Sequence, residues 1–123
     1  MYELSVRTSF SAAHHLEGYA GACASHHGHN WDVEVFVRGT EVDSAGMLLD
    51  FRRLKSETLA VVDQLDHKDL SRLDLFKEQS PTCENIARLV YEQLSARLRG
   101  EGCAVSRVKV RETPETSAVY SPD

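Results

Sequence analysis

No stretch of this 123-residue chain approaches the roughly 18 apolar residues that a membrane span requires. The N-terminal segment "MYELSVRTSF" has no basic head followed by an apolar run, so no secretory leader is expected and the protein is read as cytoplasmic. Cysteine is scarce: Cys23, Cys83 and Cys103 are an odd set without framework spacing, which argues against a disulfide scaffold. Fourteen basic residues stand against 19 acidic ones, a formal charge of -5, with no Lys/Arg cluster of the kind that contacts nucleic acid. Neither nucleic acid nor membrane is an expected partner. Internal repeats, low-complexity tracts and Pro/Gly/Ser linkers are missing as well. With 41% hydrophobic residues, residues 1–123 are expected to form a single domain with a real core.

What is present is ordered as strands, then helices, then strands. Tyr2 to His14 alternates and is rich in Val, Thr and Phe, and His29 to Gly39 does the same, so the two read as a long antiparallel pair. Asp50 is placed to cap a helix carrying Phe51, Leu54, Val61, Val62 and Leu65 on roughly one side. Ser80 or Thr82 can cap a second helix, with Pro81 near its first turn and Ile86, Leu89, Val90, Leu94 and Leu98 at helical spacing. Gly100 and Gly102 end it. Two more strand-like runs, "CAVSRVKVRE" and "TSAVYS", flank a turn around Pro114. The expected fold is α+β: a ββααββ antiparallel sheet with two helices on one face.

Histidine is concentrated instead of spread. "CASHHGHNW", residues 23–31, holds three of the chain's six histidines beside a thiol. His27 and His29 are two apart where the second strand begins, so an extended backbone points both to one face of the sheet. Antiparallel pairing would bring His14, at the end of the first strand, beside them. Three neutral imidazoles with a fourth position open describe a catalytic zinc site, whereas structural sites fill all four positions with protein ligands. Solvated loop histidines are the plainer alternative. In "VKVRE" the acid Glu112 shares a strand face with Val108 and Val110, which puts a charge on an inward row where it needs a partner.

"FSAAHHL", "CASHHGHNW", "GMLLDFRRLK", "LDHKDL", "PTCENIA" and "VKVRET" occur in the order seen in the 6-pyruvoyl-tetrahydropterin synthase/6-carboxy-tetrahydropterin synthase family, which the chain resembles over essentially its whole length. The resemblance implies a tunnelling fold (T-fold), with subunits joined through their sheets into a barrel, usually as a homohexamer with active sites at subunit interfaces. It also implies zinc as the metal and 7,8-dihydroneopterin triphosphate as the substrate.

Carried over position by position, the resemblance makes His14, His27 and His29 the zinc ligands and Cys23 the catalytic cysteine. Strand alternation separates His14 from its neighbour His15, and the His-Gly-His spacing prefers His27 to His26. A thiolate near a metal can serve as the base that removes a proton from a hydroxyl-bearing carbon; a fourth zinc ligand or a small buried hydrophobe are the other readings of Cys23. Cys83 and Cys103 read as packing residues. Asp66 and His67 match the family's Asp-His pair, which assists proton transfer, although local capping roles would also explain them. Glu112 matches the pterin-anchoring glutamate, whose two oxygens suit the ring N–H and exocyclic amine side by side; Thr113 is a further candidate for substrate binding. The three-residue gap between Cys23 and His27 resembles the bacterial 6-carboxy-tetrahydropterin branch, which feeds queuosine and deazapurine synthesis and releases acetaldehyde and triphosphate. A 6-pyruvoyl-tetrahydropterin synthase, or a zinc- or pterin-binding module without turnover, is the alternative. The family's third branch commonly has Glu in place of the cysteine, so Cys23 argues against it.

Overall fold

A computed structural model describes residues 1–14 and 27–123; Cys23, His15 and His26 lie outside the described residues, as does the side chain of His27. Strand β1 (Tyr2–His14) and strand β2 (His27–Gly39) pair antiparallel along their full lengths, from Tyr2 opposite Gly39 to His14 opposite His27. β2 therefore starts at His27, two residues before the point that alternation marks, because Gly28 carries no side chain to show the pattern. Helix α1 (Phe51–Val62), a two-residue strand β3 (Lys68–Asp69), helix α2 (Cys83–Arg97) and strands β4 (Ala104–Thr113) and β5 (Thr116–Tyr120) complete the fold. The sheet order is β3-β1-β2-β4-β5, with β3 parallel to β1 and the remaining pairs antiparallel.

Alternation explains which face is covered. Phe10, Ala12 and His14 of β1, Trp31, Val33, Val35 and Val37 of β2, and Val108 and Val110 of β4 are all buried. They pack against Leu54, Val61 and Val62 of α1 and Ile86, Ala87, Val90 and Leu94 of α2, so both helices cover the same face of the sheet. Each fully buried Val or Leu contributes about 1.5–3 kcal/mol of burial free energy. The opposite face is polar, with Arg7 paired to Asp32 at 3.0 Å and Arg107 stacked 3.7 Å over the Phe36 ring.

The helices begin where the caps place them. The Asp50 side chain accepts from the Arg52 N–H at 2.8 Å, and of the two candidate caps of α2 it is Thr82 that accepts, from the Asn85 N–H at 3.1 Å. α1 ends at Val62, earlier than its apolar pattern extends: the Leu65 and Asp66 N–H groups both turn back to the Val62 carbonyl, and Leu65 reaches the core from that turn. Phe51, expected on the buried side, is 56% exposed because it sits at the first residue of the helix, a full turn ahead of the covered Leu54. The segment between the helices, unassigned from the sequence, holds β3 and two short 3-10 turns at Leu70–Arg72 and Asp74–Phe76, and Leu70 and Phe76 anchor it to the core. Among the described residues, no helix is long and apolar enough to cross a membrane.

Candidate active site

Strand register builds the site. Ala12 lies opposite His29 and His14 opposite His27, so His14 and His29 are diagonal neighbours on the buried face, a spacing at which side chains touch across an antiparallel pair. Their ring centroids are 5.3 Å apart, and each ring stands edge-on to Trp31, at 4.9 and 5.4 Å. Trp31 is itself fixed, stacked on Phe10 with its indole N–H donating to the Ala12 carbonyl at 3.3 Å. The floor beneath the two imidazoles is a rigid aromatic layer.

Glu112 comes in from β4, where two irregularities set its position. Ser106 is an extra residue on the β2 side: Phe36 pairs with Arg107 and Val37 with Val105. On the β5 side Arg111 pairs with Ser117 and Thr113 with Thr116, which leaves Glu112 as the extra residue of a second bulge. Bulges of this kind re-aim a side chain beside functional sites. Glu112 Oε2 lies 2.9 Å from His14 Nε2 and 2.7 Å from His29 Nε2, and ligand atoms of the three residues lie within 4.8 Å of one another.

The protonation pattern of His14 follows from its second nitrogen. Nδ1 lies 2.8 Å from the Pro81 carbonyl, which can only accept, so Nδ1 carries a hydrogen and Nε2 is the nitrogen turned toward the cluster. An electron pair and a carboxylate oxygen 2.9 Å apart repel unless a proton or a cation lies between them. Two imidazoles, one held in the metal-binding tautomer, together with a carboxylate make a donor set that suits zinc.

Asp66 and His67 are built onto the same strand end. Asp66 Oδ1 accepts from the Ser11 N–H at 2.9 Å, while the His67 N–H donates to the Ser11 carbonyl at 2.6 Å, so the pair is fastened to β1 just ahead of Ala12 and His14. Asp66 Oδ2 lies 3.0 Å from His67 Nδ1. The Ser11 N–H, followed by His67, holds the Asp66 carboxyl below the ordinary carboxylate value. His67 has φ of 59°, a left-handed conformation at a cost of order 1–3 kcal/mol that its neighbours must offset. His67 and His29 both line an open cavity of about 530 Å³ at this end of the strands. A second cavity, of about 910 Å³, is bordered by Glu112, Thr113, Arg7 and Arg111.

Thr113 is turned toward its own hairpin, its hydroxyl 2.7 Å from that of Thr116. Cys83 and Cys103 are free thiols packed against the core. Burial, reinforced by the negative charge of Glu112, pushes the Cys83 thiol up to about 11, and burial raises Cys103 as well. Two contributors have no counterpart in the sequence reading. The Pro81 carbonyl is a backbone group that no side-chain pattern could point to, whereas Trp31 was detectable, since it follows His27 and His29 on the same alternating row.

The family described as 6-pyruvoyl tetrahydropterin synthase matches residues 3–123. The chain belongs to that family. A 6-carboxy-5,6,7,8-tetrahydropterin synthase of Bacillus subtilis is 36% identical over 98% of this chain and 86% of that one. A 6-pyruvoyl tetrahydrobiopterin synthase of Dictyostelium discoideum is 32% identical over 95% of this chain and 93% of that one. Among solved structures, Caenorhabditis elegans 6-pyruvoyl tetrahydropterin synthase superposes with a TM-score of 0.88 at 30% identity, covering 99% of this chain and 96% of that one. The α+β sheet with its two helices is accordingly the tunnelling fold of the 6-pyruvoyl tetrahydropterin synthase family.

Proposed function

We propose that this chain is a zinc-dependent 6-carboxy-5,6,7,8-tetrahydropterin synthase, converting 7,8-dihydroneopterin triphosphate to 6-carboxy-tetrahydropterin, acetaldehyde and triphosphate for queuosine-type deazapurine synthesis. The observation that carries the proposal is the meeting of His14 Nε2, His29 Nε2 and Glu112 at one point beside the His67 cavity. His14, His27 and His29 would hold the metal, with His27 placed opposite His14 by the register. Bound there, zinc supplies a Lewis acid that eases proton removal from carbons bearing hydroxyl groups. The Bacillus subtilis relative supports the carboxy branch.

The chain's own residues divide the remaining work. With the imidazole nitrogens holding the metal, the Glu112 carboxylate would accept the ring N–H and exocyclic amine of a pterin. Thr113, beside it, would add a hydrogen bond. Cys23 takes the proton as thiolate, and Asp66 orients His67 so that its exposed ring can pass protons at the cavity. β1 supports assembly into a homohexamer: among the described residues its outer edge is paired only at Ala12 and Ala13, and an open edge invites a strand from another copy.

The test is product analysis by mass spectrometry after incubating zinc-loaded protein with 7,8-dihydroneopterin triphosphate, with acetaldehyde assayed in parallel. Carboxy-tetrahydropterin with acetaldehyde supports the proposal. A pyruvoyl product would move the chain to the other branch, and binding without turnover would make it a zinc and pterin module.

A further inference from the structure

Resting on the pterin assignment above, we infer that Lys68 is the residue that receives the phosphate end of the substrate. Ala12 is paired on one side with His29 and on the other with Lys68, so the three residues form one row across β3, β1 and β2. Two strand spacings of about 4.8 Å put the Lys68 backbone roughly 10 Å from that of His29. His67 and Lys68 line the same 530 Å³ cavity as His29, and β3 lies on the far side of β1 and β2 from β4, which carries Glu112.

The charges agree with this direction. Among the described residues Lys68 has no carboxylate partner, while the acid beside it, Asp69, is engaged by Arg72 at 3.2 Å and by the Ser71 N–H. In the other cavity Arg7 is held by Asp32 at 3.0 Å, and Arg111 stands with the negative charge of Glu112. The strand order points the phosphates toward Lys68, because β3 and β4 lie on opposite sides of the two strands that carry the histidines. Among the described residues, no heavy atom comes within 4 Å of where a side chain would begin at Gly28. A ligand whose pterin meets Glu112 and whose hydroxyl-bearing carbons lie at the histidines therefore extends its phosphates past His67 to Lys68. The order of groups along the sheet repeats the order of groups along the substrate.

Calorimetry with two probes tests the assignment: inorganic triphosphate and the phosphate-free 7,8-dihydroneopterin, each on the zinc-loaded full chain and on Lys68→Ala, Lys68→Arg and Arg111→Ala. The expected result is weaker triphosphate binding by about tenfold in Lys68→Ala, with Lys68→Arg close to the parent. Binding of 7,8-dihydroneopterin should not change in either variant. With the triphosphate substrate, Lys68→Ala should raise KM and leave kcat nearly intact. Equal triphosphate binding by Lys68→Ala and the parent would overturn the assignment and leave Lys68 as a charge that guards the sheet edge. Loss in Arg111→Ala alone would move the anion to the other cavity and also overturn it. Failure of the parent to bind 7,8-dihydroneopterin while triphosphate binding still depends on Lys68 would sink the pterin assignment and leave the anion site standing.

Discussion

His14 and Glu112 stand 98 residues apart in the chain and 2.9 Å apart in space. The contact joins the end of β1 to the end of β4 across the buried face of β2, and Trp31 beneath it prevents either imidazole from sinking further into the core. A cluster so defined has measurable consequences.

Removing either described imidazole should abolish metal binding at the proposed site. His14→Ala and His29→Ala are expected to lose zinc affinity by more than the about 10–100-fold that deletion of an outer-shell partner costs. Elemental analysis of the purified proteins checks this, and full zinc content in both variants would count against the histidines as ligands.

Helix α2 is tied to the same cluster through its cap. Thr82→Ala should cost about 1 kcal/mol in urea unfolding. Because the Pro81 carbonyl that fixes His14 immediately precedes the cap, the variant should also bind zinc up to about tenfold more weakly. Lower stability with unchanged zinc affinity would confine Thr82 to capping.

Acid should loosen the attachment of the Asp66–His67 segment. The folded-state value of Asp66 is depressed from 3.8, chiefly by the Ser11 N–H, so its contribution is complete above pH 3.8 and is lost as the pH falls through the lower folded value. The stability difference between the parent and Asp66→Asn should therefore be present at neutral pH and shrink on acidification below about 3.8. A difference that is constant with pH would show that the carboxylate charge is not what matters.

Thiol reactivity should separate the cysteines. A Cys83 value near 11 against the ordinary 9.0 means a thiolate fraction roughly a hundredfold lower at neutral pH. Peptide mapping after brief iodoacetamide treatment at pH 7.5 should find Cys83 essentially unmodified while Cys23, the proposed base, is labelled. Rapid labelling of Cys83 would contradict its burial.

Much of this architecture was legible because period-2 alternation is a direct consequence of strand geometry. β1 was read to the residue, and the inward phase of Val108, Val110 and Glu112 followed from the same rule. His14 could be distinguished from His15 for that reason alone. What stayed hidden depends on contacts between distant segments. β3 has only two residues, too few for any periodicity, and exists because Ala12 and Ala13 offer it an edge. The Pro81 carbonyl that orients His14 carries no side-chain signature, and neither does the left-handed backbone at His67. Phe51 followed the helical pattern and still remained exposed, since a pattern assigns a residue to a stripe without saying how far along the helix the covering layer extends.

Ser106 never touches the histidine cluster, yet it resets the count of the strand that carries Glu112. Its presence changes the parity of β4: Val105 faces inward on an odd number, and after the extra residue Val108, Val110 and Glu112 face inward on even ones. Deleting that one serine would restore strict alternation from Val105 onward and keep the glutamate inward, whereas deleting one residue beyond it, Lys109 for example, would send the glutamate to the opposite side of the sheet. The site could thus be silenced by a single-codon deletion that alters none of its members, and comparisons that match the functional residues without the spacing between them would not notice the loss.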